Sequence, residues 1–231
     1  MTSSSPSPAG EPDLWHHYGR HGETDVPDRL HWDWYQRRGP GAELLGDVAG
    51  QKVADLGAGG ARHAAHIARA LRPARVVGID SSPAQHARGC ERYGHLARLE
   101  LVRADAVAYL QDHPGAFDAC YSVFGAVDFT DPRKLLPTVA TALRPGGLLV
   151  FSTLAHYTTG EAPESEVRSA RIPIRLPGGS DATLDRWVLD IPVRERLLTE
   201  TGFSLIGTDT LRDRAPDSPV ATNIFRARRS C

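Results

Sequence analysis

The stretch Val53-Ala-Asp55-Leu-Gly57-Ala-Gly59-Gly60-Ala61 decides how the chain is read. An aliphatic run from Lys52 to Gly57 passes into a glycine loop. The loop passes into ARHAAHIARALR (61–72), whose Ala64, Ile67, Ala68 and Leu71 fall on one helical stripe. Strand, glycine turn and helix in that order gather free backbone N–H groups and the positive end of a helix dipole at one point, which suits a closely held ligand. Working outward, the runs RVVGID (75–80), LELVRAD (99–105), FDACYSVF (117–124) and GLLVFST (147–153) are short and mostly aliphatic, with helical patterns between them. Such alternation predicts βαβ units and a parallel sheet buried on both faces. Residues 203–210 and 221–229 add a last pair of strands. The fold class expected is α/β, with a seven-stranded, mostly parallel sheet and helices on both faces.

Of the 231 residues, 41% are hydrophobic and 24% charged, ordinary for a globular chain with a sizeable core. Lys and Arg number 27 against 28 Asp and Glu, so no global basic field exists to hold nucleic acid. Cys90, Cys120 and Cys231 are far apart and form no CxxC pair, which argues against a disulfide scaffold and a structural zinc site. With no secretory pattern at the start and no apolar run long enough to span a bilayer, the expectation is a cytoplasmic protein with no membrane partner. Residues 1–12, rich in Ser and Pro, read as a disordered tail. Residues 13–45 carry Trp15, Trp32 and Trp34 and read as an N-terminal helical cap or lid. The main domain is expected over 46–231. Its segment 154–192 breaks the βα rhythm and reads as a substrate-binding insertion.

Two acids accompany the glycine loop. Asp80 ends the second strand about twenty residues on, where a carboxylate can take both hydroxyls of a ribose. Asp105 ends the third strand, as a ligand acid or a helix cap. All three strand ends share the carboxyl edge of a parallel sheet, where open α/β sheets bind ligands. A dinucleotide fingerprint would need Gly at position 62, and Arg62 stands there. Asp55 beside the loop would repel a pyrophosphate and suits an ammonium group.

In these residues the chain resembles the class I S-adenosylmethionine-dependent methyltransferases of small-molecule type, which implies a Rossmann-like fold. The acid-x-Gly-x-Gly motif matches Asp55, Gly57 and Gly59 with Ala58 between the glycines, and Ala61 departs from a frequent third glycine. The ribose acid matches Asp80, with Ser81 beside it, and the adenine edge matches Asp105-Ala106. Ser122 and Phe124, followed by Gly125, match the segment that lines the methionine moiety and the methyl group. Leu143-Arg-Pro-Gly-Gly147 matches the turn into the fifth strand. The cofactor implied is S-adenosylmethionine, with S-adenosylhomocysteine as product.

Methyl transfer from a sulfonium is an in-line displacement that needs alignment and exclusion of water. Substrate contacts are expected from Tyr18, Trp32, Trp34, Tyr35, Gly125, Tyr157 and Trp187. Ordinary core packing is the alternative for Trp187 and the N-terminal aromatics. A base, if the acceptor needs one, would be His156, His21 or His31, since histidine titrates near working pH. His63 and His66 read as a packed or solvated helix face. The leading expectation is methylation of an N or O atom of a small molecule, in specialised metabolism, by a monomer or homodimer. A peptide or protein methyltransferase and a non-catalytic cofactor-binding regulator stand as alternatives.

Overall fold

The computed structural model describes residues 13–16, 25–176, 179–212 and 220–230. Strand β1 (Lys52–Leu56) is buried from Val53 onward and sits mid-sheet. Parallel to it run β2 (Arg75–Asp80) and then β3 (Leu99–Arg103) on one side, and β4 (Phe117–Val123) and β5 (Leu143–Leu154) on the other. A separate antiparallel hairpin follows, β6 (Ala170–Arg175) with β7 (Asp181–Arg186). Then β8 (Phe203–Arg212) and β9 (Ala221–Arg229) join the main sheet antiparallel, giving the order β3-β2-β1-β4-β5-β9-β8. The expected seven-stranded sheet is therefore present, with its strand order reversing between β1 and β4. That reversal opens a crevice at the carboxyl ends of the strands.

Helices cover both faces. On one, α1 (Arg62–Ala70) and α2 (Pro83–Tyr93) pack Ala64, Ile67 and Tyr93 with Leu30, Trp32 and Leu45 of the N-terminal segment. On the other lie α3 (Ala106–Gln111), α5 (Pro132–Ala142) and α6 (Ile191–Glu200), with Leu110, Leu135, Leu136, Val139 and Leu198 in the core. Between them α4 (Ala126–Phe129) is a single turn at the end of β4. Side chains at the strand-to-helix turns cap these helices: Ser82, Asp105 and Asp190 accept from the N–H groups of Gln85, Ala108 and Val193. Pro137, a predicted kink or delay, instead sits inside a continuous α5. The burial of Leu135, Leu136 and Val139 outweighs the one hydrogen bond it removes.

The segment read as a helical cap is irregular among its described residues, apart from one 3-10 turn at Ala42–Leu45. The tail at 1–12 lies outside the described residues. Among the described residues no helix is long and apolar enough to cross a membrane.

Candidate active site

The crevice at the carboxyl edge holds a cavity of ≈ 550 Å³. Its floor is the turn after β1. Gly57 sits at φ +77°, and a side chain on it would lie 2.3 Å from the Ala126 nitrogen, so only glycine lets α4 close on the loop. Gly59, at φ +54°, has the opposite surroundings: a Cβ would meet nothing nearer than the Gln85 Oε1 at 3.9 Å. The missing side chain leaves an open cradle lined by Gly57, Ala58 and Gly59.

Asp80 braces this loop. One carboxylate oxygen accepts from the Gly59 N–H at 2.7 Å and the other from the Ser82 N–H at 2.9 Å. Burial pushes its pKa up against the lowering effect of those bonds. Two of about four lone-pair sites are used, and Asp80, Ser81, Asp105 and Ala106 all line the cavity. Asp105 also caps α3, its Oδ1 accepting from the Ala108 N–H at 2.9 Å, so the ligand-acid and helix-cap readings describe one residue.

Two residues read as cofactor contacts lie elsewhere. Asp55 is buried behind the loop, where Tyr121 donates its hydroxyl hydrogen to Oδ2 at 2.7 Å. Burial pushes this carboxyl up to about 7. Ser122 is fully buried and donates to the Leu56 carbonyl at 2.7 Å, tying β4 to β1. Neither lines the cavity. Both lie within a strand rather than in the turn after it, so their side chains point to the packed faces of the sheet, Asp55 on the Tyr121 side and Ser122 on the other.

The turn after β4 forms the next wall. Phe124 adopts φ +48°, a left-handed conformation that side chains rarely take and that functional turns often hold. Its ring lines the cavity and meets the edge of Trp34, centroids 5.1 Å apart. At Gly125 a Cβ would come within 2.4 Å of the Leu56 carbonyl oxygen, so the turn fits only with glycine.

The β6–β7 hairpin and α4 complete the enclosure. Trp187, Leu184 and Asp185 line the cavity opposite Phe129 and Thr130. The two elements are joined by a buried ion pair, Arg186 Nη2 to Asp128 Oδ2 at 2.7 Å. The guanidinium lies between two rings, its carbon 5.2 Å from the Trp34 centroid and 5.0 Å from that of Phe129. The Trp187 backbone is fixed at both ends: its N–H donates to the Asp128 carbonyl at 2.8 Å, and its carbonyl accepts from Arg194 at 2.7 Å.

Residues 13–16 cross the mouth. The Asp13 carboxylate accepts from the Ser82 hydroxyl at 2.7 Å and from the Ala84 N–H at 3.0 Å, at the start of α2. The Trp15 carbonyl accepts from Gln85 Nε2 at 2.9 Å, and the Trp15 ring meets the Phe129 ring edge-on at 4.5 Å. This short strap thus reaches from α2 to α4.

The proposed bases and substrate contacts separate in the same way. His156 spends both ring nitrogens on backbone: Nδ1 donates to the Tyr157 carbonyl at 2.9 Å and Nε2 accepts from the Ala221 N–H at 3.3 Å. His31 does not line the cavity either, and burial lowers its pKa. His21 and Tyr18 lie outside the described residues. Trp32 is fully buried in the core, its Nε1 donating to the Gly41 carbonyl at 2.8 Å. Tyr157 is buried and donates to Glu164. Trp34 and Tyr35 pack behind Phe124 without lining the cavity, whereas Gly125 and Trp187 line it.

His63, assigned to a plain helix face, is the histidine found in the wall. Burial and the neighbouring Arg62 guanidinium lower its pKa to about 3, so the imidazole is neutral in any ordinary buffer. Its place on the first turn after the glycine loop was the available signal.

Comparison with known proteins agrees with this geometry. A family described as a methyltransferase domain matches residues 53–147, from β1 into β5. A phthiotriol/phenolphthiotriol dimycocerosates methyltransferase of Mycobacterium ulcerans is 30% identical over 152 residues, 66% of this chain and 53% of that protein. The chain thus spans about half the length of that relative. A ubiquinone biosynthesis O-methyltransferase of Pectobacterium atrosepticum is 29% identical over 168 residues, 68% of each chain. The crystal structure of an S-adenosylmethionine-dependent methyltransferase from Mesorhizobium loti superposes with a TM-score of 0.60 at 22% identity, covering 80% of this chain and 94% of that one. The matched span, the strand order and the glycine loop coincide: residues 53–147 match a methyltransferase-domain family, and the chain is similar to S-adenosylmethionine-dependent methyltransferases in fold and sequence.

Proposed function

We propose that the protein transfers the methyl group of S-adenosylmethionine to an oxygen atom of a small molecule. The observation that carries this reading is one continuous cavity running from the Gly57–Gly59 cradle to the aromatic wall of Phe124, Phe129 and Trp187. When bound, the cofactor supplies an electrophilic methyl group on a sulfonium. The open cradle at Gly59 accommodates its amino-acid end, Asp80 and Ser81 its ribose, and Asp105 and Ala106 its base. Asp55 acts from behind, holding the strand end through Tyr121. Phe124 and Trp187 line the transfer region with apolar surface and exclude water there. The enclosed volume fits a small ligand beside the cofactor, and the name of the Pectobacterium relative agrees with oxygen as the site of transfer.

Incubation with methyl-labelled cofactor and a panel of small hydroxyl compounds should yield labelled small product. Label found only on protein would favour the peptide or protein reading. Titration calorimetry with S-adenosylhomocysteine tests the site itself. Asp80→Ala should weaken binding roughly 10- to 100-fold, the value of hydrogen bonds to a charged group. Unchanged affinity would remove Asp80 from the ribose site.

A further inference from the structure

Beside the cradle, where α1 begins, the cavity has a polar corner made by Gln36, Arg62 and His63. His63 offers the cleanest signal. Neither of its ring nitrogens has a hydrogen-bond partner among the described residues, and neither is sealed from solvent. Burial and the Arg62 guanidinium keep the ring neutral. It therefore presents one N–H donor and one lone pair to the cavity.

Gln36 brings the N-terminal segment to this corner. It stands at φ +52°, a backbone conformation that side chains rarely hold. Asp33 ties the turn together: its carbonyl accepts from the Gln36 N–H at 3.0 Å, and its carboxylate from the Arg37 and Arg38 N–H groups at 3.0 and 3.1 Å. The Gln36 Oε1 accepts from Arg62 Nη1 at 3.4 Å, and the Gln36 amide nitrogen has no partner among the described residues. The corner thus combines a cation, two uncharged donors and a lone pair, with no carboxylate. The acids that line the cavity, Asp80, Asp105 and Asp185, stand at the ends of β2 and β3 and on β7. Asp55, the acid expected to meet an ammonium group, holds Tyr121 and does not line the cavity. A zwitterion suits such a set: its carboxylate takes the guanidinium and N–H groups, and its ammonium donates to the imidazole lone pair.

We propose that Gln36, Arg62 and His63 receive the amino-acid tail of the cofactor, a zwitterionic α-amino carboxylate, so that the N-terminal segment forms part of the cofactor site. This rests on the methyl-transfer reading, which seats that tail at the Gly59 cradle, with these side chains next along the wall. The turn that carries Gln36 also carries Trp34, whose ring meets Phe124 with centroids 5.1 Å apart. An occupied corner therefore steadies the wall beside the transferred methyl group.

The test compares S-adenosylhomocysteine with 5′-methylthioadenosine, which keeps the nucleoside and the sulfur but lacks the amino-acid tail, by titration calorimetry on the full chain. The unmodified chain should bind S-adenosylhomocysteine roughly tenfold or more tightly, the value of hydrogen bonds to charged groups. Equal affinities would overturn the proposal. His63→Leu should cost S-adenosylhomocysteine roughly tenfold or more and leave 5′-methylthioadenosine within about twofold, the retained nucleoside showing that the variant folds. Unchanged S-adenosylhomocysteine affinity, or an equal loss for both compounds, would count against it. Amide exchange in the unmodified chain gives a reading that needs no variant. At equal saturation S-adenosylhomocysteine should slow exchange over residues 33–38 several-fold more than 5′-methylthioadenosine does, and equal protection by the two would place the tail away from Gln36. Failure of the unmodified chain to bind either compound would instead refute the cofactor site, a separate failure.

Discussion

Asp55 holds a carboxyl group in the core, with Tyr121 as its hydrogen-bond donor and a pKa pushed up to about 7. The folded state therefore keeps this proton over a range in which the unfolded chain, near 3.8, has lost it. Its contribution to stability is complete below about pH 4 and is lost as pH rises through 7. Asp55→Asn keeps an acceptor for Tyr121 and never ionises. It should match the parent near pH 4 and exceed it by a few kcal/mol above pH 7, at about 1.4 kcal/mol per pKa unit. Urea unfolding at pH 4, 6 and 8 gives the comparison, and a difference that stays flat with pH would refute this account. The same residue shows what sequence can tell at this scale. Asp55, Ser122 and His156 stand at the expected edge, yet their polar atoms are engaged with Tyr121, Leu56 and the backbone near Ala221. Residue type and spacing give the edge of the sheet, but not which of two adjacent side chains turns outward. His63 was read as a packed or solvated helix face for the converse reason, since a histidine on an alanine-rich helix does not announce which neighbour it meets, and it lines the cavity.

At the scale of elements, the glycine loop and the five parallel strands were legible because they read as short, mostly aliphatic runs between helical patterns, with β8 and β9 read as a last pair. The β6–β7 hairpin was not. Each of its strands has one buried position, Ile174 and Arg186, so it lacks an aliphatic run to announce it. The strap at 13–16 was expected only as part of a larger lid. Its hold on α2 combines the Asp13 carboxylate on Ser82 and Ala84 with Gln85 and Arg88, which donate to the Trp15 and His16 carbonyls. Asp13→Ala should release it, raising amide exchange at the start of α2 at least tenfold and speeding dissociation of S-adenosylhomocysteine, as followed by stopped-flow fluorescence of Trp15. Unaltered exchange and dissociation would show that Gln85, Arg88 and Phe129 hold the strap without Asp13.

Across the whole molecule, the Arg186–Asp128 pair connects the hairpin, α4 and the N-terminal segment. Both side chains are nearly or wholly removed from solvent, at 7% and 0% exposure. Replacing Arg186 with Leu strands a carboxylate in the interior, which typically costs about 3–5 kcal/mol. A double replacement, Arg186→Leu with Asp128→Leu, should recover much of the loss in a denaturant cycle. Additive losses would show that the two groups act independently. No sequence pattern pairs positions 58 residues apart on unlike elements, so this connection became visible only in three dimensions.

The bar that Asp13 and Trp15 lay across the opening has a kinetic corollary. A nucleoside seated in the cavity would lie beside that bar, whose Trp15 is part of the wall, so the ease with which the knot on the rim unfastens should set how long the spent nucleoside stays. Loosening the knot would trade retention of the spent nucleoside for faster renewal, and the chemistry itself would be untouched.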